Sequence, residues 1–97
     1  MKYFFMRLNP PRPSFSQDMT PEERSIMQRH VAYWTDQMAR GTALVFGPVL
    51  DPRGTYGVGV IQVESEAERD ELVARDPANG LNHYEFYPML AVIPKKG

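Results

Sequence analysis

Side chains alternate at the start of the chain. In KYFFMRL (2–8), Phe4, Met6 and Leu8 fall on one side of an extended backbone and Tyr3, Phe5 and Arg7 on the other, a period of two that predicts a β-strand. The next eleven residues, NPPRPSFSQDM (9–19), hold three prolines and two serines. Such a stretch continues neither strand nor helix and is long for a connection, so an irregular loop is expected there, either covering a site or running along the surface. The period then changes to that of a helix. Thr20, Pro21 and Glu23 supply an N-cap, a proline at the first helical position and the partner of a capping box, and Gly41 marks the stop after Arg40. Wound at about 100° per residue, the inner stripe runs from Tyr33 and Ile26 through Gln37, His30 and Trp34 to Met27, Met38 and Val31, with Arg24, Gln28 and Asp36 opposite.

TALVFGPVL (42–50) and TYGVGVIQV (55–63) are strand-like runs joined by DPRG, whose proline and glycine suit a tight turn, so they are expected to pair as a hairpin. Ser65 and Glu68 form a second capping box. It opens a short, mostly solvated helix with Ala67, Leu72 and Val73 as its apolar positions, closing before Pro77, since the residue before a proline is pushed out of helical geometry. HYEFYPMLAVI (83–93) is the last strand, and Pro88 within it implies an edge position or a bulge.

The order β-α-β-β-α-β predicts an α+β, ferredoxin-like split βαβ fold, a four-stranded antiparallel sheet with two helices on one face. The other face is left bare. Because Phe86, Met89, Leu90, Ala91, Val92 and Ile93 make the last strand apolar on both sides, a homodimer through the open sheet face is expected.

Ninety-seven residues make one domain, 1–97, and 42% hydrophobic content is enough for one core. Eleven basic residues against twelve acidic ones, without a lysine or arginine run, argue against a nucleic-acid partner. The absence of cysteine excludes disulfides, thiolate nucleophiles and zinc–thiolate sites. The opening MKYFFMRLNPP is broken by Arg7 and lacks a signal-type cleavage site, and no run approaches the roughly 18 apolar residues of a membrane span. A cytoplasmic protein without membrane attachment is the expectation. Two histidines, His30 and His83, without an acidic cluster point to no metal, and the glycines of GTYGVGV are followed by neither helix nor lysine, so no phosphate-binding loop or other cofactor site is expected. No serine stands in a nucleophile-elbow pattern.

Two polar residues need a reason. His30 lies near the centre of an apolar helix stripe, where a buried ring must find at least one hydrogen-bond partner. Asp76 stands in LVARDPANG, at the closing end of the second helix, where a negative side chain opposes the helix dipole at about 0.3–1 kcal/mol. An Asx-type turn at Asp-Pro accounts for it locally. In a split βαβ fold, however, the two helices lie side by side. A carboxylate from the end of one can then meet a histidine on the inner stripe of the other, and such a contact would fix its tautomer and turn its second nitrogen toward a cavity as a general base. Tyr33 and Trp34 beside His30 are either core residues or walls of a ligand pocket, and Phe46 in the second strand and Tyr87 in the last point either into that pocket or into the dimer seam.

His30, Gly41 eleven residues later, the Gly47-Pro48 step, Asp76-Pro77 after the second helix and Tyr84-Glu85 entering the last strand resemble, in this order, the YCII-related family of the dimeric α+β barrel group. The resemblance covers nearly the whole chain. It implies a pocket between helix and sheet, with His30 as general acid/base and Asp76 as its orienting partner; Tyr33, Trp34, Phe46, Gly47 and Pro48 are the expected substrate-binding residues. Loop 9–19 and the Ala78-Asn79-Gly80 stretch are longer and more polar than in small members of the family, which implies a different pocket mouth. Two readings follow: an enzyme doing isomerase- or lyase-type proton chemistry on a small organic substrate, and a non-catalytic dimeric module that binds a small molecule or regulates a partner.

Overall fold

The computed structural model describes residues 1–94. Its elements are β1 (Lys2–Asn9), α1 (Phe15–Asp18), α2 (Pro21–Ala39), β2 (Ala43–Val49), β3 (Tyr56–Val63), α3 (Glu66–Ala74) and β4 (His83–Met89). The strands form one antiparallel sheet in the order β2-β3-β1-β4. With the two longer helices, this is the ferredoxin-like split βαβ architecture.

Local signals set the helix ends. Thr20 Oγ1 accepts from the Glu23 N–H at 3.1 Å while the Glu23 carboxylate accepts from the Thr20 N–H at 2.9 Å, so both halves of the capping box close. At the other end the Gly41 N–H reaches the Met38 carbonyl and the Thr42 N–H reaches that of Gln37, a Schellman closure that needs the positive φ of +82° at Gly41. In α3, Ser65 Oγ caps the Glu68 N–H as expected. The return bond, however, runs from the Glu64 N–H to Glu68 rather than from Ser65, one residue upstream of a standard box.

One half of the space between helices and sheet is filled and the other is hollow. Phe4, Met6 and Leu8 of β1 face the helices, as the alternation predicts, and pack with Trp34, Ile61, Val63, Leu72 and Val73. On β3 the helix-facing positions run Gly57, Gly59, Ile61, Val63 from one end to the other. Isoleucine and valine complete the core; the glycines leave space. A Cβ at Gly59 would stand 2.9 Å from Met6 Cε, and one at Gly57 3.2 Å from Leu8 Cβ, so β1 side chains spread into the room the glycines leave.

Three sequence expectations change. β4 ends at Met89, not Ile93: Tyr3 pairs with Met89, and β1 has almost no residues left to pair with the continuation, so Leu90 and Val92 are each 99% exposed. Pro88 does lie in an edge strand, where its missing N–H costs no ladder bond. Residues 9–19 are not wholly irregular, because Asp18 accepts from Ser14 Oγ and Arg12 and closes the single turn of α1, which buries Phe15. Val31 and Met38 are 50% and 40% exposed. They stand about 100° and 80° around the helix from His30, past the margin of the buried arc. The face of the sheet away from the helices carries Tyr3, Phe5, Val58, Val60, Tyr87 and Met89, interrupted by an Arg7–Glu85 pair, and no described element covers it.

Candidate functional site

Asp76 lies just beyond the C-cap of α3, where its N–H returns to the Val73 carbonyl and its side chain turns inward, away from solvent. Four donors meet it there. His30 Nδ1 lies 2.8 Å from Oδ1 and 3.0 Å from Oδ2, Trp34 Nε1 donates to Oδ2 at 2.7 Å, the Ala78 N–H donates to Oδ1 at 2.9 Å, and the Tyr84 hydroxyl donates to Oδ2. These donors come from α2, the turn after α3, and β4. An aspartate at an unfavourable helix end is thus held by contacts that outweigh the dipole.

The electrostatics follow from the same geometry. Burial alone would push the Asp76 carboxyl up, but the bonds from His30, Tyr84, the Ala78 N–H and Trp34 favour the anion and hold it below the ordinary carboxylate value. The Tyr84 hydroxyl is driven the other way, first by burial and then by its bond to the carboxylate. Burial, with Asp76 nearby, also raises the Tyr33 hydroxyl. An ionised carboxylate only accepts, so it is His30 Nδ1 that carries the proton facing it. Nε2 makes no hydrogen bond to a protein group among the described residues.

His30 forms part of the wall of a cavity of about 410 Å³ under α2. Such a volume lies within the range of small-molecule sites. The sheet contributes Met6, Leu8, Phe46, Pro48 and Gly57, and α2 contributes Met27, Val31 and Trp34. Pro10, Phe15, Ser16 and Met19, from the proline-rich segment and α1, close one side. That segment therefore covers the cavity. Arg12 clamps it, bonding Asp18 at 2.8 Å and both oxygens of Glu23 at 2.8 and 3.0 Å.

Of the residues singled out in the sequence, His30, Trp34, Phe46, Gly47 and Pro48 border this cavity. Tyr33 does not: its hydroxyl donates to the Leu72 carbonyl at 2.5 Å, tying α2 to α3, and its ring packs edge-on to Trp34. Asp76 stands behind His30, outside the cavity wall. Phe46 owes its direction to an irregularity between Ala43 and Val45, which pairs Ala43 with Ile61 but Val45 with Val60 and shifts the alternation by one. Tyr84, Asn82, Phe15 and Met27 were not marked as site residues. Tyr84 had a signal in its helix-facing place in the alternation of β4, and Met27 had one in its place on the inner stripe of α2. His83 is exposed on β4, and among the described residues no three metal-binding side chains gather.

A search of curated proteins found no match. Among solved structures, the chain is similar to 5-chloro-2-hydroxyhydroquinone dehydrochlorinase (TftG) from Burkholderia phenoliruptrix AC1100, solved in complex with 2,5-dihydroxybenzoquinone. The two are 23% identical with a TM-score of 0.58, over 84% of this chain and 90% of that one. At that identity the likeness is one of fold. The sequence model of the YCII-related domain matches residues 3–93, almost the full length, and the chain belongs to the YCII-related family.

Proposed function

We propose that the protein is a small enzyme in which His30, oriented by Asp76, moves a proton on a small organic substrate in an isomerisation or elimination. The observation that carries this reading is the pairing of His30 Nδ1 with a buried carboxylate while the same ring forms part of the wall of a ligand-sized cavity. Neutral His30 would take a proton from a carbon next to a carbonyl, and the C–H electron pair would pass into an enolate. The imidazolium so formed lies 2.8 Å from the Asp76 carboxylate, which stabilises it. Returning the same proton to another carbon completes an isomerisation. Expelling a leaving group with its bonding pair completes an elimination. The structural neighbour, a dehydrochlorinase bound to a small ring, supports this class of chemistry.

Asp76 is a positioning residue in this scheme, since it does not reach the cavity. The reading also takes the protein to be cytoplasmic and homodimeric through the open sheet face, whose exposed Val45, Tyr87 and Met89 favour a covering partner. No described helix is long and apolar enough to cross a membrane.

A second reading, a binding module without turnover, draws support from the four donors on Asp76, since such a carboxylate ties elements together whatever His30 does. Cyclohex-3-en-1-one separates the two readings, because its conversion to the conjugated enone needs one proton moved between two carbons and no cofactor. Acceleration by the wild type, lost in His30→Ala with folding retained, is the expected result. If neither this enone nor a panel of other small cyclic ketones exchanges or relocates a proton faster with the protein than without it, the enzyme reading fails.

A further inference from the structure

The cavity wall is nearly free of charge. Apart from His30, its polar side chains among the described residues are neutral, and no lysine, arginine, aspartate or glutamate borders it. Arg12 stands on the segment that closes one side, but its guanidinium is taken up by Glu23 and Asp18. Arg7 lies on the opposite sheet face, bonded to Asn9 and stacked on Tyr56. The nearest fixed charge known to face the imidazole is the Asp76 anion behind it. A carboxylate or phosphate brought into such a space would lose its hydration, gain no cationic partner and meet a negative group.

Asn82 supplies a second polar contact. It is 7% exposed, and its amide nitrogen has only the Met27 sulfur as a side-chain partner, at 3.8 Å. A thioether is a weak acceptor. The amide oxygen has no protein partner among the described residues, yet it is not sealed off. Met27 borders the cavity one helical turn before His30, so Asn82, in contact with Met27, and His30 both belong to its wall, although Asn82 also borders a second pocket with Asn79 and Tyr84. The backbone holds Asn82 there, because its N–H and that of Leu81 both return to the Ala78 carbonyl, and the Ala78 N–H is itself bonded to Asp76.

We infer that the cavity takes an uncharged, mainly apolar ring compound carrying two hydrogen-bonding groups, one for His30 Nε2 and one for the Asn82 amide, and that it rejects anionic analogues. This deepens the reading of the His30 site given above and depends on that site being a ligand site, not on its turnover.

The test compares 4-hydroxyacetophenone with 4-hydroxybenzoate and 4-acetylphenyl phosphate, matched rings that differ in charge. Trp34, the one tryptophan, borders the cavity, so its indole N–H signal in a two-dimensional NMR titration reports occupancy. The neutral ring is expected to bind at least about tenfold more tightly than either anion, and Asn82→Leu to weaken it by about tenfold. Equal or tighter binding of an anion overturns the inference, as does failure of the neutral ring to shift the indole signal up to its solubility. Asn82→Asp guards against misfolding, and it should weaken the neutral ring with a native spectrum. If Asn82→Leu lowers the melting temperature but not the affinity, Asn82 is structural and the second contact is overturned. Neutral selectivity without any proton transfer would leave this inference standing while removing the enzyme reading.

Discussion

Trp34 Nε1 and His30 Nδ1, one helical turn apart on α2, both reach the Asp76 carboxylate, at 2.7 and 2.8 Å. The indole therefore fixes the anion from one side while the imidazole draws on it from the other. Asp76 lies at the centre of a network, and His30 is one of its four donors rather than half of an isolated pair.

Removing the charge at Asp76 should weaken that network without emptying it. Asp76→Asn keeps the shape but turns bonds to an anion into neutral ones, and it leaves the His30 tautomer undetermined, since an amide both donates and accepts. A loss of roughly 1.5–3 kcal/mol in urea unfolding is expected, the scale of a hydrogen bond to a charged group. Nitrogen NMR of the ring should show the Nδ1–H form in the wild type and a mixture in the variant. An unchanged tautomer would mean that the carboxylate does not orient the ring.

Acid sensitivity has a definite sign. The folded-state value of Asp76 lies below the ordinary one, so its stabilisation is complete above the unfolded value of about 3.9 and is lost as pH falls through the folded value. The stability gap between wild type and Asp76→Asn, measured by urea unfolding, should hold steady above about pH 5 and shrink below about pH 4. A gap that does not change with pH would show that the carboxylate gains nothing from folding as an anion.

Arg12 is the clasp on the segment over the cavity. Glu23, with Arg12 as its strongest influence, is held at about 2, so the clasp stays charged over any physiological range. Arg12→Ala should leave the melting temperature nearly unchanged, speed amide exchange over residues 12–18, and raise both association and release rates for a cavity ligand. Unchanged exchange would mean that Phe15 burial alone holds the segment down.

The open sheet face makes its own prediction. Val60, paired with Phe5 and Val45, lies on that face of a central strand. Val60→Lys should convert a dimer seen by light scattering into a folded monomer. A wild-type monomer at micromolar concentration would rule out the seam.

Local rules along the chain explain why so much of the fold is legible in the sequence. Capping residues at Thr20 and Ser65, the stop at Gly41 and the alternation in β1 each involve residues a few positions apart, and backbone geometry links them directly. Where two distant pieces had to agree, reading along the chain was not enough. The last strand looked apolar to Ile93 but ends at Met89, because the available length of β1 decides how far it pairs. The direction of Phe46 turns on one irregularity in β2, which pattern alone does not reveal.

The candidate site divides the same way. His30 and Asp76 could each be marked as anomalies, one polar in an apolar stripe and one negative at a helix's negative end. That they meet, 46 positions apart, depends on two helices settling on the same face of one sheet. Tertiary packing alone placed Tyr84 and Trp34 on the same carboxylate, left Tyr33 outside the cavity and brought Phe15 over it. Periodicity and capping are set by neighbours in the chain, whereas cavities and charge networks are set by which surfaces are left facing each other once the core has closed.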